Sequence, residues 1–314
     1  MSSVAVSSDL MSAFKFGTGN WDPEHRFETS WLFPPYVLFA LRLLMPETCR
    51  DKHRCRGGGL HIVTYVRAIL KTGSLYAFVT LLFNIGYQCA HTELGGCEAS
   101  RAEFSFFTVL TYWGLAFYML VASVHTFTYA RYSNPFLARF PRPLQVLHAL
   151  FYSTVTTFPF LVTIVYWGVL YSYGSAWFPT VYGAWSNISQ HAMNSLFALF
   201  EIFLTRVNPQ PWMHALWLIV IMALYLALAY LTKATKGFYV YPFLDPGRTG
   251  SLVAAYIFGI GAATLVVFAI VRSLVWMRRW LTEEKLGRHG KFADFPPRNI
   301  QEVELGDIHG AGIK

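Results

Sequence analysis

The sequence predicts an all-α, polytopic membrane helical bundle with about six transmembrane helices and a short N-terminal apolar segment. Two observations lead to this prediction. Of the 314 residues, 54% are hydrophobic and 13% are charged, whereas a soluble domain has roughly 25% charged residues. Six apolar runs are also long enough to cross ~30 Å of hydrocarbon. The predicted spans are residues 73–90, 105–130, 145–172, 187–205, 212–232 and 251–277.

The apolar segment at residues 31–46 precedes these spans. It carries Pro34, Pro35 and Arg42 and is short for a crossing, so we interpret it as a re-entrant or interfacial piece. The first thirty residues lack the pattern of a removable signal peptide. The predicted organisation is a disordered cytosolic tail at 1–30, a transmembrane helical domain at 31–281 and a second disordered cytosolic tail at 282–314.

The stretch at residues 47–72 is polar and basic where apolar sequence would be expected. A Gly-rich basic run from Arg54 to Gly59 interrupts the approach to the first span. The stretch is either a cytosolic loop followed by an amphipathic helix or an insertion with no functional part. We favour the insertion.

Basic residues near the span ends predict the orientation of the bundle. They cluster between Arg42 and Lys71, after the second span, at Arg206 and at Arg278 and Arg279, whereas most alternate loops are acidic or uncharged. This pattern predicts that both termini are cytosolic, in an endomembrane such as the endoplasmic reticulum or in the plasma membrane. The net charge of +8 favours anionic lipid headgroups as partners and not nucleic acid.

The four cysteines divide between the two predicted sides of the membrane. Cys89 and Cys97 bracket the first lumenal loop, so we predict that they form a disulfide in an oxidising lumen. Cys49 and Cys55 fall on the reducing side. Their spacing to nearby histidines matches no common zinc site, so the sequence indicates no metal and no cofactor.

A polar stripe along the fourth predicted span is the strongest indication of chemistry. Polar and ionisable groups in the hydrocarbon layer are costly and commonly mark a functional site. With spacings of 4, 3, 4, 3 and 4, the six members would share one face of a regular helix. They are Asn187, His191, Asn194, Ala198, Glu201 and Thr205.

Thr111 and His191 are the candidate catalytic residues. At ~1.5 Å per residue, Thr111 lies about 9 Å and His191 about 6 Å inside the lumenal boundary, so the two are level. Histidine is the usual base that activates a hydroxyl nucleophile. Thr108, one turn earlier, is an equally plausible hydroxyl. Alternatively, the threonine bonds only its own backbone and the histidine only a neighbouring helix.

Three motifs resemble the androgen-induced protein and androgen-dependent TFPI-regulating protein family. They are FTVLTYWGLAFYML around Thr111, an Asn187–His191–Glu201 spacing, and GFYVYPFLD from Gly237 to Asp245. The resemblance covers residues 75–275. It implies a multi-span membrane hydrolase that cleaves fatty acid esters of hydroxy fatty acids with a threonine nucleophile and a histidine.

By this resemblance Thr111 matches the catalytic threonine, His191 the catalytic histidine and Asn187 the asparagine four residues earlier. Two positions depart from the family's animal members, with Ile188 in place of a histidine and Ala192 in place of a threonine. These departures affect the expected substrate range and remove neither catalytic group.

Four residues are predicted to bind or orient the substrate or the imidazole. Helical spacing places Asn187 and Asn194 one turn from His191, where an amide could orient the ring or stabilise an oxyanion; both could equally be helix-packing residues. Tyr241 and Asp245 belong to the GFYVYPFLD motif. Asp245 could complete a triad, although a turn or cap role is the more common one.

Two other classes of function stay open from the sequence. A haem-binding electron carrier could use His125, His148 and His214, which fall near the cytosolic ends of spans. A transporter or scaffold could use the polar stripe to line a path, although no inverted repeat is visible.

Overall fold

The computed structural model describes residues 22–43 except 23, 73–171 except 133, and 178–288. Throughout these ranges the regular structure is helical, and the single β feature is an isolated antiparallel bridge between Ser30 and Thr205. The predicted all-α class is therefore confirmed for the described chain. Cys49, Cys55, the stretch at 47–72 and the outer parts of both tails lie outside these residues.

Nine helices form the bundle within the described ranges, joined by turns and by a four-residue helix, Pro246–Thr249. They are α1 (Pro35–Leu43), α2 (Gly73–Ala90), α3 (Gly96–Glu103), α4 (Phe107–Tyr132), α5 (Arg142–Val165), α6 (Val181–Ile188), α7 (Asn194–Leu204), α8 (Met213–Lys236) and α9 (Leu252–Arg279). Helix α4 packs against α1, α2 and α5, and α5 packs in turn against α7, α8 and α9.

Four of these helices are long and apolar enough to cross a membrane, counting the π-helical turns that extend α5 and α9. They are Phe107–Tyr132, Arg142–Leu170, Met213–Lys236 and Leu252–Lys285. Only 17% of the apolar stretch in each of the last two is buried, as is expected of helices in contact with lipid. The chain is therefore a membrane protein. The predicted spans at 73–90 and 187–205 are helical but carry more polar residues, so the count of six stays a prediction.

The segment at 31–46 is built into the bundle. Helix α1 packs along α4, and the Arg42 side chain is completely buried. Its guanidinium donates two hydrogen bonds to Glu201 on α7, with Nε–Oε1 2.9 Å and Nη2–Oε2 2.8 Å. It also donates to the carbonyl of Phe27 at 2.9 Å and to the Thr126 hydroxyl on α4. One arginine thus joins α1, α4 and α7, and the re-entrant or interfacial position of the segment in the membrane stays a prediction.

Residues 24–30, assigned above to the N-terminal tail, also pack against the bundle. The Arg26 guanidinium donates to Glu283 with Nη1–Oε2 2.8 Å, and both side chains are buried. Beside this pair, the backbone N–H of Arg206 donates to the carbonyl of Thr29 at 3.1 Å. Glu283 lies in a π-helical turn, Trp280–Lys285, that extends α9 past the predicted end of the domain at residue 281. The N-terminal segment therefore ties the last helix to the chain that follows α7.

The predicted disulfide between Cys89 and Cys97 is present and joins the end of α2 to α3. Beside it the Gln88 amide donates to the Glu103 carboxylate, and burial raises the pKa of Glu103 above its usual value. The loop between α2 and α4 is thus fixed at both of its ends.

We expect replacement of both Cys89 and Cys97 by serine to lower the free energy of unfolding by about 2–3 kcal/mol. The reason is that the unfolded chain gains conformational entropy when the disulfide between residues eight positions apart is removed. Thermal unfolding of the detergent-solubilised protein measures this loss. The expectation would be contradicted if the variant had the same thermal unfolding midpoint as the wild type and if both cysteines of the unreduced wild type reacted with an alkylating reagent.

Candidate active site

His191 lies in a π-helical turn, Ser189–Met193, inserted between α6 and α7. Such a turn rotates the following helix by about 100° relative to a regular α-helix, and π-turns are frequent at functional sites. The predicted stripe is therefore interrupted after His191. Its second part is buried and consists of Asn194, Ala198, Glu201 and Thr205, whereas Asn187 and His191 are half-buried.

The imidazole of His191 is held on two sides. Its ring stacks on the ring of Tyr166, with centroids 3.6 Å apart and planes 19° from parallel. Its Nδ1 lies 3.0 Å from the backbone carbonyl oxygen of Asn187. Because a carbonyl oxygen only accepts, the neutral ring carries its proton on Nδ1 and keeps the lone pair on Nε2. In this tautomer Nε2 is the nitrogen that can accept a proton.

A second π-helical turn supports the first. Tyr166 begins the turn Tyr166–Leu170 at the end of α5, and its hydroxyl donates to Asn187 Oδ1 at 2.7 Å. The next residue, Trp167, donates its indole N–H to the carbonyl of His191 at 3.1 Å. The Asn187 side chain thus orients Tyr166, and its backbone orients His191. The predicted contact between the Asn187 amide and the imidazole is not seen among the residues that the structure describes; the amide reaches the ring only through Tyr166, and the direct contact is made by the backbone carbonyl.

Thr111 and Thr108 occupy different environments on the first turns of α4. The Thr111 hydroxyl donates to its own helix, 2.9 Å from the carbonyl oxygen of Phe107 and 3.0 Å from that of Thr108. Thr111 also lines a groove of about 350 Å³ between α4, α5 and α8, whereas Thr108 lines a separate cavity of about 50 Å³ together with Tyr166 and Tyr241. No hydrogen bond joins either hydroxyl to His191 in the described part of the chain. Tyr166, which contacts His191, links the cavity beside Thr108 to the imidazole.

Two tyrosine hydroxyls lie at the N-terminus of α4, beside Thr108. The backbone N–H of Phe107 donates to Tyr225 Oη at 3.0 Å and to Tyr241 Oη at 3.1 Å. Tyr225 donates its own proton to the carbonyl of Ser105 at 3.0 Å. The Tyr241 hydroxyl lies next to the Thr108 side chain. The structure therefore brings Tyr241 to a candidate nucleophile, but to Thr108 instead of Thr111.

The other two predicted orienting residues have structural partners. Asn194 accepts from the Thr163 hydroxyl at 3.3 Å and from the backbone N–H of Ser195 at 2.7 Å, so its amide packs α7 against α5. Asp245 accepts from the backbone N–H of Gly247 at 2.9 Å and caps the helix Pro246–Thr249. Both contacts correspond to the structural alternatives recognised in the sequence.

The three histidines considered for haem are differently placed. His125 and His148 contact each other edge to face, with ring centroids 5.2 Å apart, which leaves no room for a macrocycle between them. His214 Nδ1 lies 2.7 Å from the hydroxyl of Ser153. This arrangement does not favour the haem alternative.

Sequence reasoning missed Tyr166, Tyr225 and the pairing of Arg42 with Glu201. Both tyrosines lie in apolar runs rich in aromatic residues, so nothing local distinguishes them. Arg42 did carry a signal, since a charge in an apolar segment normally has a buried partner. Its partner, Glu201, is one of the two ionisable residues in the polar stripe, and His191 is the other.

A family comparison covers the stretch that contains this site. The profile of the FAR-17a/AIG1-like protein family matches residues 68–277. The chain belongs to this family. The resemblance predicted from the sequence is thereby confirmed for two thirds of the chain. Searches of curated proteins and of solved structures each gave no match. In this FAR-17a/AIG1-like protein, the matched region runs from just before α2 almost to the end of α9 and includes every candidate residue of the site.

Proposed function

We propose that this FAR-17a/AIG1-like protein is an integral membrane hydrolase that cleaves carboxylic esters of lipids. The proposed substrates are fatty acid esters of hydroxy fatty acids. His191 acts as the base, and a threonine in the first turns of α4 acts as the nucleophile. The observation that carries the proposal is the His191 tautomer, because the bond from Nδ1 to the Asn187 carbonyl leaves Nε2 able to accept a proton.

Of the two threonines, Thr108 has the stronger support. It shares a cavity with Tyr166, the ring on which His191 stacks, and its side chain lies beside the Tyr241 hydroxyl. The Thr111 hydroxyl donates its single proton to backbone carbonyls of α4. Catalytic hydrogen bonds are often long without substrate and tighten in its complex, so the absence of a Thr108–His191 bond is compatible with this role.

In the proposed reaction the Thr108 oxygen attacks the ester carbonyl carbon while His191 Nε2 takes the hydroxyl proton. The Tyr241 hydroxyl, which accepts from the Phe107 N–H, still has its own proton to donate to the oxyanion. His191 then returns the proton to the departing alkoxide, which leaves as the hydroxy fatty acid. Water then attacks the threonyl ester while His191 takes its proton, and His191 returns this proton to the departing Thr108 oxygen as the fatty acid is released.

The nucleophile assignment is tested with two alanine variants of the purified protein. We expect the wild type to hydrolyse a fatty acid ester of a hydroxy fatty acid and to be labelled by a fluorophosphonate. Thr108→Ala is expected to lose both properties, because the hydroxyl proposed to form the acyl intermediate is removed. Thr111→Ala is the matched control, one helical turn away, and should keep both. Loss of activity in Thr111→Ala alone would restore the assignment made from the sequence, and full activity in both variants would exclude a threonine nucleophile in this turn.

The remaining predictions are proposals of the same kind. The lipid ester is the expected partner, together with surrounding membrane lipids. Cytosolic termini and an endomembrane or plasma membrane location rest on the basic residues that flank the predicted spans. No geometric observation favours the transporter or scaffold alternative.

A further inference from the structure

A groove of about 350 Å³ lies between α4, α5 and α8. Its walls are mainly apolar and include Leu110 and Gly114 of α4, Phe158 of α5, and Leu224 and Leu228 of α8. Pockets that hold small molecules commonly measure ~300–1,000 Å³, and an apolar cavity of ~150 Å³ already holds benzene. The groove is therefore large enough for a segment of hydrocarbon chain.

The two threonines in the groove do not make it polar. Thr111 donates its hydroxyl proton to carbonyls of α4, and Thr154 donates to the carbonyl oxygen of Phe151 at 2.7 Å on α5. Since these hydroxyls are satisfied within their own helices, an occupant need not supply a hydrogen-bonding group. An apolar occupant therefore loses nothing by contact with these walls.

One end of the groove adjoins the candidate active site. Phe107 and Tyr225 line both the groove and the smaller cavity that contains Thr108 and Tyr241. From Phe107 to Gly114 the groove follows α4 for about 10 Å, at ~1.5 Å per residue. A lipid ester would match this arrangement, with its polar ester group in the cavity at Thr108 and its hydrocarbon tail in the apolar groove.

We propose that the groove binds the acyl chain of the ester and that Gly114 sets the length of chain it accepts. This inference rests on the proposed function and adds a subsite to it. Gly114 lies on the groove wall at the end farther from Phe107 along α4. A Cβ added there would meet only the Phe151 ring, at the ordinary distance of 3.8 Å, so a side chain fits on the helix. A larger side chain would then occupy the far part of the groove.

The test compares palmitoyl and butyryl esters of the same alcohol in wild type, Gly114→Leu and a control, Gly86→Leu. Gly86 is a helical glycine on α2 with nothing within 4 Å of an added Cβ and is outside the groove. We expect Gly114→Leu to lower kcat/KM for the palmitoyl ester about tenfold or more and for the butyryl ester less than about twofold. Gly86→Leu should retain the wild-type ratio. The proposal would be overturned if the ratio of kcat/KM for the palmitoyl ester to kcat/KM for the butyryl ester were the same in Gly114→Leu as in the wild type.

Two additions keep the test decisive. If Gly114→Leu does not fold, Leu228→Phe narrows the groove from the α8 side and should change the ratio in the same direction.

If the wild type hydrolyses neither ester, the proposed function fails, and the groove is then tested by binding alone. A palmitoyl ester that carries a diazirine should label residues 107–114 saturably in the wild type and in Gly86→Leu but not in Gly114→Leu. Labelling that does not saturate, or that is equal in all three proteins, would overturn the groove assignment.

Discussion

Replacing His191 with alanine is expected to abolish ester turnover and fluorophosphonate labelling while the protein still folds. The imidazole is half-buried, and its contacts are one stacked ring and one backbone carbonyl, so its removal leaves a small gap at the edge of the core. Without Nε2 as proton acceptor the threonine hydroxyl stays protonated and is a poor nucleophile. Initial rates with a lipid ester and gel-based probe labelling measure the loss, and size-exclusion elution measures the fold.

The double variant Thr108→Ala/His191→Ala makes this expectation more specific. Residues that act as one catalytic unit are strongly non-additive, so the double variant should be little worse than either single variant. Asn194→Ala is the control from the same helix, because Asn194 bonds to α5 and not to the imidazole. Independent, multiplicative effects of Thr108 and His191 would mean that the two do not act as nucleophile and base.

Arg42→Met is expected to destabilise the bundle by about 3–5 kcal/mol, because it leaves the Glu201 carboxylate buried without its partner. Both side chains are fully buried and are joined by two hydrogen bonds. The double variant Arg42→Met/Glu201→Leu removes both charges and should recover most of this loss. Midpoints of thermal unfolding in detergent, compared across the three proteins, provide the measurement.

An exposed ion pair provides the control for this prediction. Arg248 and Asp245 lie 3.6 Å apart, and the arginine side chain is 71% exposed. Arg248→Met should therefore shift the midpoint only slightly. A double variant at Arg42 and Glu201 as unstable as Arg42→Met would show that packing, and not an uncompensated charge, causes the loss.

Hydropathy located the long helices well because each is an uninterrupted apolar run. The predicted span at 212–232 corresponds to Met213–Lys236, and the one at 251–277 to Leu252–Arg279. It located α6 poorly. The helix begins at Val181, six residues before the predicted start at Asn187, because the first turns contain Gly183, Ser186 and Asn187. Hydropathy detects the apolar part of a helix and not its hydrogen-bonded beginning.

The candidate site was predictable only in part, for physical reasons. His191 and Asn187 could be found because polar groups in an apolar helix are costly. The π-helical turn that contains His191 packs against the π-helical turn at the end of α5, and local spacing does not encode such packing. The choice between Thr108 and Thr111 likewise depends on Tyr166 and Tyr241, which reach α4 from other parts of the chain.

The contact between Arg26 and Glu283 has a consequence for changes at the end of α9. The two residues are 257 positions apart, so a change in the π-helical turn Trp280–Lys285 acts directly on the N-terminal segment. Without Glu283, the buried Arg26 guanidinium keeps Glu24 as its ion-pair partner within the described chain, and the Glu24 side chain is 57% exposed. Because a buried charge that loses its partner is costly, loss of this turn also weakens the docking of residues 24–30 against the bundle.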